Sequence, residues 1–233
     1  MKITKRILCL ALSVMMVLGC MSIAAFADEA TSTTKDNNGT IKFSDVGDSE
    51  VYTDAVKTLN LMGVINGYPD GTFKPNDNVT RAEFTAMLMR TLKLGSIGST
   101  SAAELPFSDI DDNNSDINWA IPNINTAYAR GVINGYEDGT FRPSANVAYE
   151  EAVKMIVCTL GYGANVDVST TPWYANFIQI GSQIGITKTA QRIGAAETPA
   201  SRACIAQLLY DSLDVKLIEN GDKTDRTILN SYL

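Results

Sequence analysis

Apolar positions along the chain fall into a pattern that is used more than once. Val51, Ala55, Val56, Leu59 and Met62 recur at the spacing of one helix face. Asn66-Gly67 and Asp70-Gly71 follow and mark tight turns, so the first predicted helix ends before them. A second helix is predicted to open at Thr80. Thr80 and Glu83 form a capping box: the hydroxyl accepts from the Glu83 amide and the carboxylate accepts from the Thr80 amide. Phe84, Met87, Leu88 and Leu92 carry the apolar stripe onward. The same stripe returns as Ala152, Met155, Ile156 and Leu160, and again as Ile205, Leu208, Leu209 and Leu213. One helix pair cannot bury its own face, whereas three equivalent stripes can share a core. The predicted class is therefore mainly α, with three helix-loop-helix units.

The loops repeat as well. Residues 63–75 recur as residues 131–143 at a constant offset of 68, with eleven of thirteen positions identical and Lys74 exchanged for Arg142. Phe43-Ser44-Asp45-Val46 pairs with Phe107-Ser108-Asp109-Ile110 at an offset of 64, so the second unit has four extra residues around Asp111 to Asn118. The third unit is worn. Trp173 lies twelve residues before Gly185, as Trp119 lies twelve before Gly131, and Ser201-Arg202-Ala203 answers Thr80-Arg81-Ala82. The turn that contains Gly67 and Gly135 in the other units is replaced by residues 187–197. The organisation read from this is 41–94, 106–163 and 164–214 for the three units, with a linker at 95–105 and a tail at 215–233.

The N-terminus is set apart. Lys2, Lys5 and Arg6 precede an apolar run from Ile7 to Leu18, and Ala25-Phe26-Ala27 supplies a small-x-small cleavage pattern. Residues 1–27 read as a secretory signal peptide and 28–40 as a flexible lead-in. The apolar run is short of the roughly 20 residues that span a bilayer, so no stable membrane span is expected. A lipobox-like reading of Val17-Leu18-Gly19-Cys20 competes with the cleavage site, and Leu18 fits it poorly.

Charge and composition narrow the chemistry. Net charge is −7, and about −10 once the +3 of residues 1–27 is taken away, which argues against nucleic acid or anionic membrane as partners. With no histidine, Ser-His-Asp and Cys-His catalysis and most zinc chemistry are excluded. Beyond residue 27 only Cys158 and Cys204 remain, and two free thiols are expected. The acidic run Asp109 to Asp116 has neither the Gly nor the Glu of a calcium loop and reads as solvated. No metal site, no cofactor and no enzymatic activity are expected.

The set Phe43-Ser44-Asp45-Val46, Trp119-Ala120, residues 63–75 with their repeat, and Val79-Thr80-Arg81-Ala82-Glu83-Phe84 resembles the S-layer homology repeat. The resemblance covers roughly 41–214. It implies three repeats in a pseudo-threefold spindle around a central helical bundle, on the cell surface of a bacterium. It implies non-covalent attachment to secondary cell-wall polysaccharide or a peptidoglycan-linked glycan, often through a pyruvylated sugar. Carried over by position, the implied glycan-binding residues are Asp45, Gly67 and Arg81, then Asp109, Trp119 and Gly135, then Asp167, Trp173 and Arg202. The units depart from the pattern: Val51 stands in place of Trp, Tyr149 in place of Arg, and Cys204 in place of Glu. Three equal sites are therefore not expected.

The residue types suit the task. Arg grips a carboxylate bidentately, and Arg81 at a helix start would add free amides and the positive end of the dipole. Trp offers a face to a sugar ring, Asp accepts from hydroxyls or braces an Arg, and Gly admits a close ligand. Each reading has a structural rival. Arg81 could bridge Asp45 or Glu83 as scaffold, the Trp residues could anchor the core, and the Asp residues could fix turns or cap helices. At the level of function, the rival is an envelope structural or assembly protein that uses the units for protein contacts.

Overall fold

The computed structural model describes residues 34–35, 41–190, 192 and 194–232. The signal peptide, its cleavage site and the lipobox lie outside the described residues. Within the lead-in, β1 (Thr34–Lys35) pairs antiparallel with β2 (Ile41–Lys42).

The protein is mainly helical, and among the described residues the helices come in three pairs. These are α1 (Thr53–Leu61) with α2 (Arg81–Thr91), α3 (Ile121–Ala129) with α4 (Tyr149–Thr159), and α5 (Ala175–Ile184) with α6 (Arg202–Ser212). The stripes bury as the periodicity requires: Phe84, Leu88, Ala152, Ile156, Leu208 and Leu209 have no exposure. One member of the first stripe does not. Val51 is 81% exposed, because α1 begins only at Thr53 and Val51 precedes its first turn.

Each first helix packs against the second helix of a different pair. Helix α3 lies on α2, α5 on α4, and α1 on α6, while α6 also touches α2 and α4. The second helices are thereby enclosed nearly all round. In α2 even Thr85 and Thr91 are fully buried, and each hydroxyl donates to the carbonyl four residues back, Arg81 and Met87 respectively.

The segments that lead into α2, α4 and α6 close a cycle of backbone hydrogen bonds. The Val79 amide donates to Ala200, that of Ala200 to Val147, and that of Val147 to Val79, at 3.3, 2.9 and 2.8 Å. The first amides of the three helices are also taken. Arg81 donates to the Ala145 carbonyl, Tyr149 to Thr198 and Arg202 to Asp77. The amides of Ala82 and Ala203 reach Pro143 and Pro75. A helix start normally leaves such donors to water or a ligand, and here the neighbouring segment satisfies them. This corrects the expectation that the start of α2 offers free amides beside Arg81.

Thr80 caps α2 with both bonds of the predicted box, and Ser201 caps α6 through the Cys204 amide. Ala148 opens α4 with no side-chain oxygen, and the Glu151 carboxylate accepts from its amide at 2.9 Å. Beyond α6, β3 (Lys216–Glu219) and β4 (Asp222–Thr227) form a hairpin. Ile228 is buried behind it, and the Tyr232 hydroxyl donates to the Arg90 carbonyl. No helix among the described residues is long and apolar enough to cross a membrane.

Candidate functional site

The site is built from the repeated turns and from what neighbouring segments insert into them. In the first turn, both carboxylate oxygens of Asp45 accept backbone bonds, from the amides of Phe73 and Lys74, each at 2.7 Å. Asp109 does the same for Phe141 and Arg142 at 2.8 and 2.7 Å. Lys74 and Arg142 both sit in the left-handed region, at φ of 57° and 59°, and these bonds hold a conformation that a side chain disfavours. Asp167 makes a local turn instead, accepting from the amide and hydroxyl of Ser169.

The turn glycines are set by ring packing. A Cβ at Gly67 would lie 2.2 Å from the Phe43 ring, and at Gly135, where φ is +72°, 2.5 Å from that of Phe107. Those rings in turn pack on Phe73 and Phe141, whose own side chains are buried, with centroids 5.7 and 5.5 Å apart.

Two arginines cross between segments in the same way. Arg81, 6% exposed, donates through Nε to the Phe141 carbonyl at 2.8 Å and lies over the rings of Tyr136 and Phe141. Arg202, equally buried, donates through Nε to Phe73 and through Nη2 to Asn66, over Tyr68 and Phe73. Among the described residues a carboxylate follows only at the first: Glu151 Oε1 is 3.0 Å from Arg81 Nη1. Glu151 Oε1 also accepts from the Tyr136 hydroxyl, and Oε2 takes the Ala148 amide. Burial first, and that bond second, push the Tyr136 hydroxyl up to about 12. At the third crossing Tyr149 replaces Arg and donates to the Ala190 carbonyl. The ionic pair there is reversed: fully buried Glu150 on α4 accepts from Arg192 of the opposite loop at 2.8 Å.

Around Arg81 lies a groove of roughly 200 Å³. One wall is the turn Val132 to Tyr136, another is Glu151, Lys154 and Met155 of α4, and the third brings Trp173 and Glu197. The Trp173 indole donates to Glu197 Oε1 at 3.0 Å, which ties the ring to the opposite loop at the groove. Lys154 Nζ lies 5.4 Å from the Trp173 ring centroid.

Of the nine residues expected at the site, the structure therefore gathers Arg81, Gly135 and Trp173 in one groove. Gly67 sits in the turn that Arg202 enters. Asp45, Asp109 and Asp167 are turn braces by geometry. Trp119 is 45% exposed and its indole is tied to the Asp116 carbonyl. Glu151, Lys154 and Glu197 line the groove and were missed. Glu151 had a signal, since it matches Glu83 of the capping box, while the other two stand in stretches with no repeat counterpart of like charge.

Comparison with known proteins agrees with the repeated segments. Residues 42–85 and 106–153 match the S-layer homology domain. Over 54% of its length the chain is 38% identical to a cellulosome-anchoring protein of Acetivibrio thermocellus. Over 76% it is 30% identical to a surface layer protein of Brevibacillus choshinensis, and over 66% it is 33% identical to an endoglucanase of Bacillus sp. (strain KSM-635). The chain spans 27%, 16% and 15% of those relatives, so what is shared is a portion of each. The domain matches include Arg81 and Gly135 but stop short of Trp173 and Arg202.

Proposed function

We propose that this protein is exported and holds itself to the bacterial cell wall, by binding a wall polysaccharide in the groove of Arg81, Gly135 and Trp173. The observation that carries the reading is that groove: one cleft where Trp173, a backbone turn and charged side chains meet, in a chain with two segments that match the S-layer homology domain. An indole face stacks on the apolar side of a sugar ring, and Glu197 and Asn134 accept or donate to its hydroxyls. The names of two relatives, an anchoring protein and a surface layer protein, support attachment. The reading takes α5 and α6 as a worn third repeat, supported by the shared helix exchange and the closed cycle through Val79, Val147 and Ala200. That cycle also supports a pseudo-threefold spindle.

Co-sedimentation with purified cell walls tests the function. The protein is expected to pellet with intact walls and to stay in solution when the secondary polymer has been stripped. Pelleting that survives stripping would refute polysaccharide binding and favour contacts with envelope proteins. Trp173→Ala is expected to release the protein from intact walls, while Trp119→Ala is expected to leave it bound.

A further inference from the structure

Glu150 does not line the groove, yet two of the groove's residues hang on it. It is fully buried at the start of α4, and both of its oxygens are filled from the loop before α6. Oε1 accepts from Arg192 Nη1 at 2.8 Å and Oε2 from the Glu197 amide at 3.0 Å. The repeat does not call for this carboxylate. Tyr149-Glu150 stands where the other units have Arg81-Ala82 and Arg202-Ala203, so α2 and α6 both fold with alanine at this place. A buried charge is costly unless it is bonded, and here the bonds come from one loop alone.

The residue so held is strained. Glu197 sits in the left-handed region at φ 61°. The first two units use the same device: Asp45 and Asp109 accept the amides of Lys74 and Arg142, which also have positive φ. Asp167 closes a local turn instead, and Glu150 supplies the brace from another element. From Glu197 the brace runs into the groove, because its Oε1 accepts from the Trp173 indole at 3.0 Å. A second route leaves the same carboxylate. Arg192 also hydrogen-bonds the Tyr174 hydroxyl, and the Tyr174 ring stands edge-on to Trp173 with centroids 5.5 Å apart. Both routes end on Trp173.

We propose that Glu150 is a positioning residue for the groove, fixing Glu197 and Trp173 from behind without touching the ligand. The proposal rests on the glycan reading above. A ligand that must order a loose side chain loses affinity, so a Trp173 that is already fixed binds a sugar ring more tightly. The brace also joins two walls of the groove. Glu151 and Lys154 follow Glu150 on α4, while Glu197 and Trp173 belong to the third unit, and the carboxylate sets one wall against the other.

Acrylamide quenching of Trp173 fluorescence tests this, in a Trp119→Phe background where Trp173 is the sole tryptophan. Glu150→Ala is the informative change. It leaves Arg192 partly exposed and able to turn to water, whereas Arg192→Ala would strand a buried charge. The expected result is stronger quenching and lower anisotropy of Trp173, about tenfold weaker co-sedimentation with intact cell walls, and a cooperative unfolding transition that is retained. Glu197→Ala cuts the next link at an exposed residue and is expected to raise the quenching as well, with the double variant falling short of the sum of the two. The proposal is overturned if Glu150→Ala leaves the quenching unchanged, if it frees Trp173 without weakening wall binding, or if the two substitutions add in full. Failure of Glu150→Ala to fold overturns it too, since Glu150 would then be a residue of the core alone. If the unmodified protein does not bind walls, the glycan reading falls, while the quenching still reports whether Glu150 positions Trp173.

Discussion

Arg81 and Arg142 carry the same charge beside the same Tyr136 ring, and their surroundings give them opposite weight. Arg81 is enclosed and bridges α2 to the turn of the next segment, while Arg142 lies on the surface and pairs with Asp138 at 2.8 Å. Removing one partner of a buried pair leaves the other uncompensated, whereas exposed pairs contribute little. Arg81→Ala is expected to lower stability by roughly 3 kcal/mol in denaturant titration and to abolish wall binding. Arg142→Ala is expected to leave both the denaturation midpoint and wall binding in place. Equal effects on binding would contradict the assignment of the groove. Sequence alone left Arg81 between scaffold and ligand contact, because its partner Glu151 lies on another element 70 residues along the chain.

At the scale of elements, the units differ where one has lost a feature that the others keep. Helix α4 lacks the hydroxyl that caps α2 and α6, although Ala148 has the extended backbone of a capping residue, at φ −76° and ψ 155°. Ala148→Ser is expected to stabilise the protein by about 1 kcal/mol, measured by the shift of its denaturation midpoint. No gain would mean that the Glu151 carboxylate and the neighbouring segment already satisfy the start of α4. The turns allow less. Gly135→Ala puts a Cβ 2.5 Å from a ring atom and 2.7 Å from the Thr140 carbonyl oxygen, at a positive φ. It is expected to cost more than about 2 kcal/mol in the same assay, with the turn and the groove wall displaced together. The sequence reading expected this glycine to admit a close ligand. What approaches it is the Phe107 ring, which the repeat spacing could not name.

For the whole molecule, the exchange of helices between pairs makes one cooperative body of the three. Its buried protic groups give it a defined response to alkali. Burial pushes the Cys204 thiol up to about 12 from an ordinary 9.0, and the hydroxyls of Tyr136 and Tyr149 up to about 12 from 10.0. The unfolded chain therefore releases these protons at a lower pH than the folded one. Between pH 9 and 12 the unfolded state binds fewer protons, so stability falls as pH rises through that window, and these groups contribute no slope below it. Denaturant midpoints at pH 8 and pH 11 are expected to show the loss. A midpoint that stays constant would mean the three groups are reached by solvent in the folded state. The same burial predicts slow alkylation of Cys204 in the native protein.

By itself the sequence determined the mainly helical class, the stripes of all three second helices, the capping of α2, and the repeated turns. Each of these is written within a few residues, as period, cap or glycine. Only the tertiary structure decided which helix packs on which. Periodicity marks the face to be buried and not its partner, and here α1 turns to α6 rather than to α2. The tertiary structure also decided which of two tryptophans stands at a groove. Trp119 follows a loop with four extra residues and is tied to Asp116, while Trp173 meets Lys154 of α4 and Glu197 of the loop before α6. Last, it decided that the charge of Arg81 is met by Glu151 of another element. A side chain's charge is local, but whether that charge is already answered depends on residues that only folding brings near.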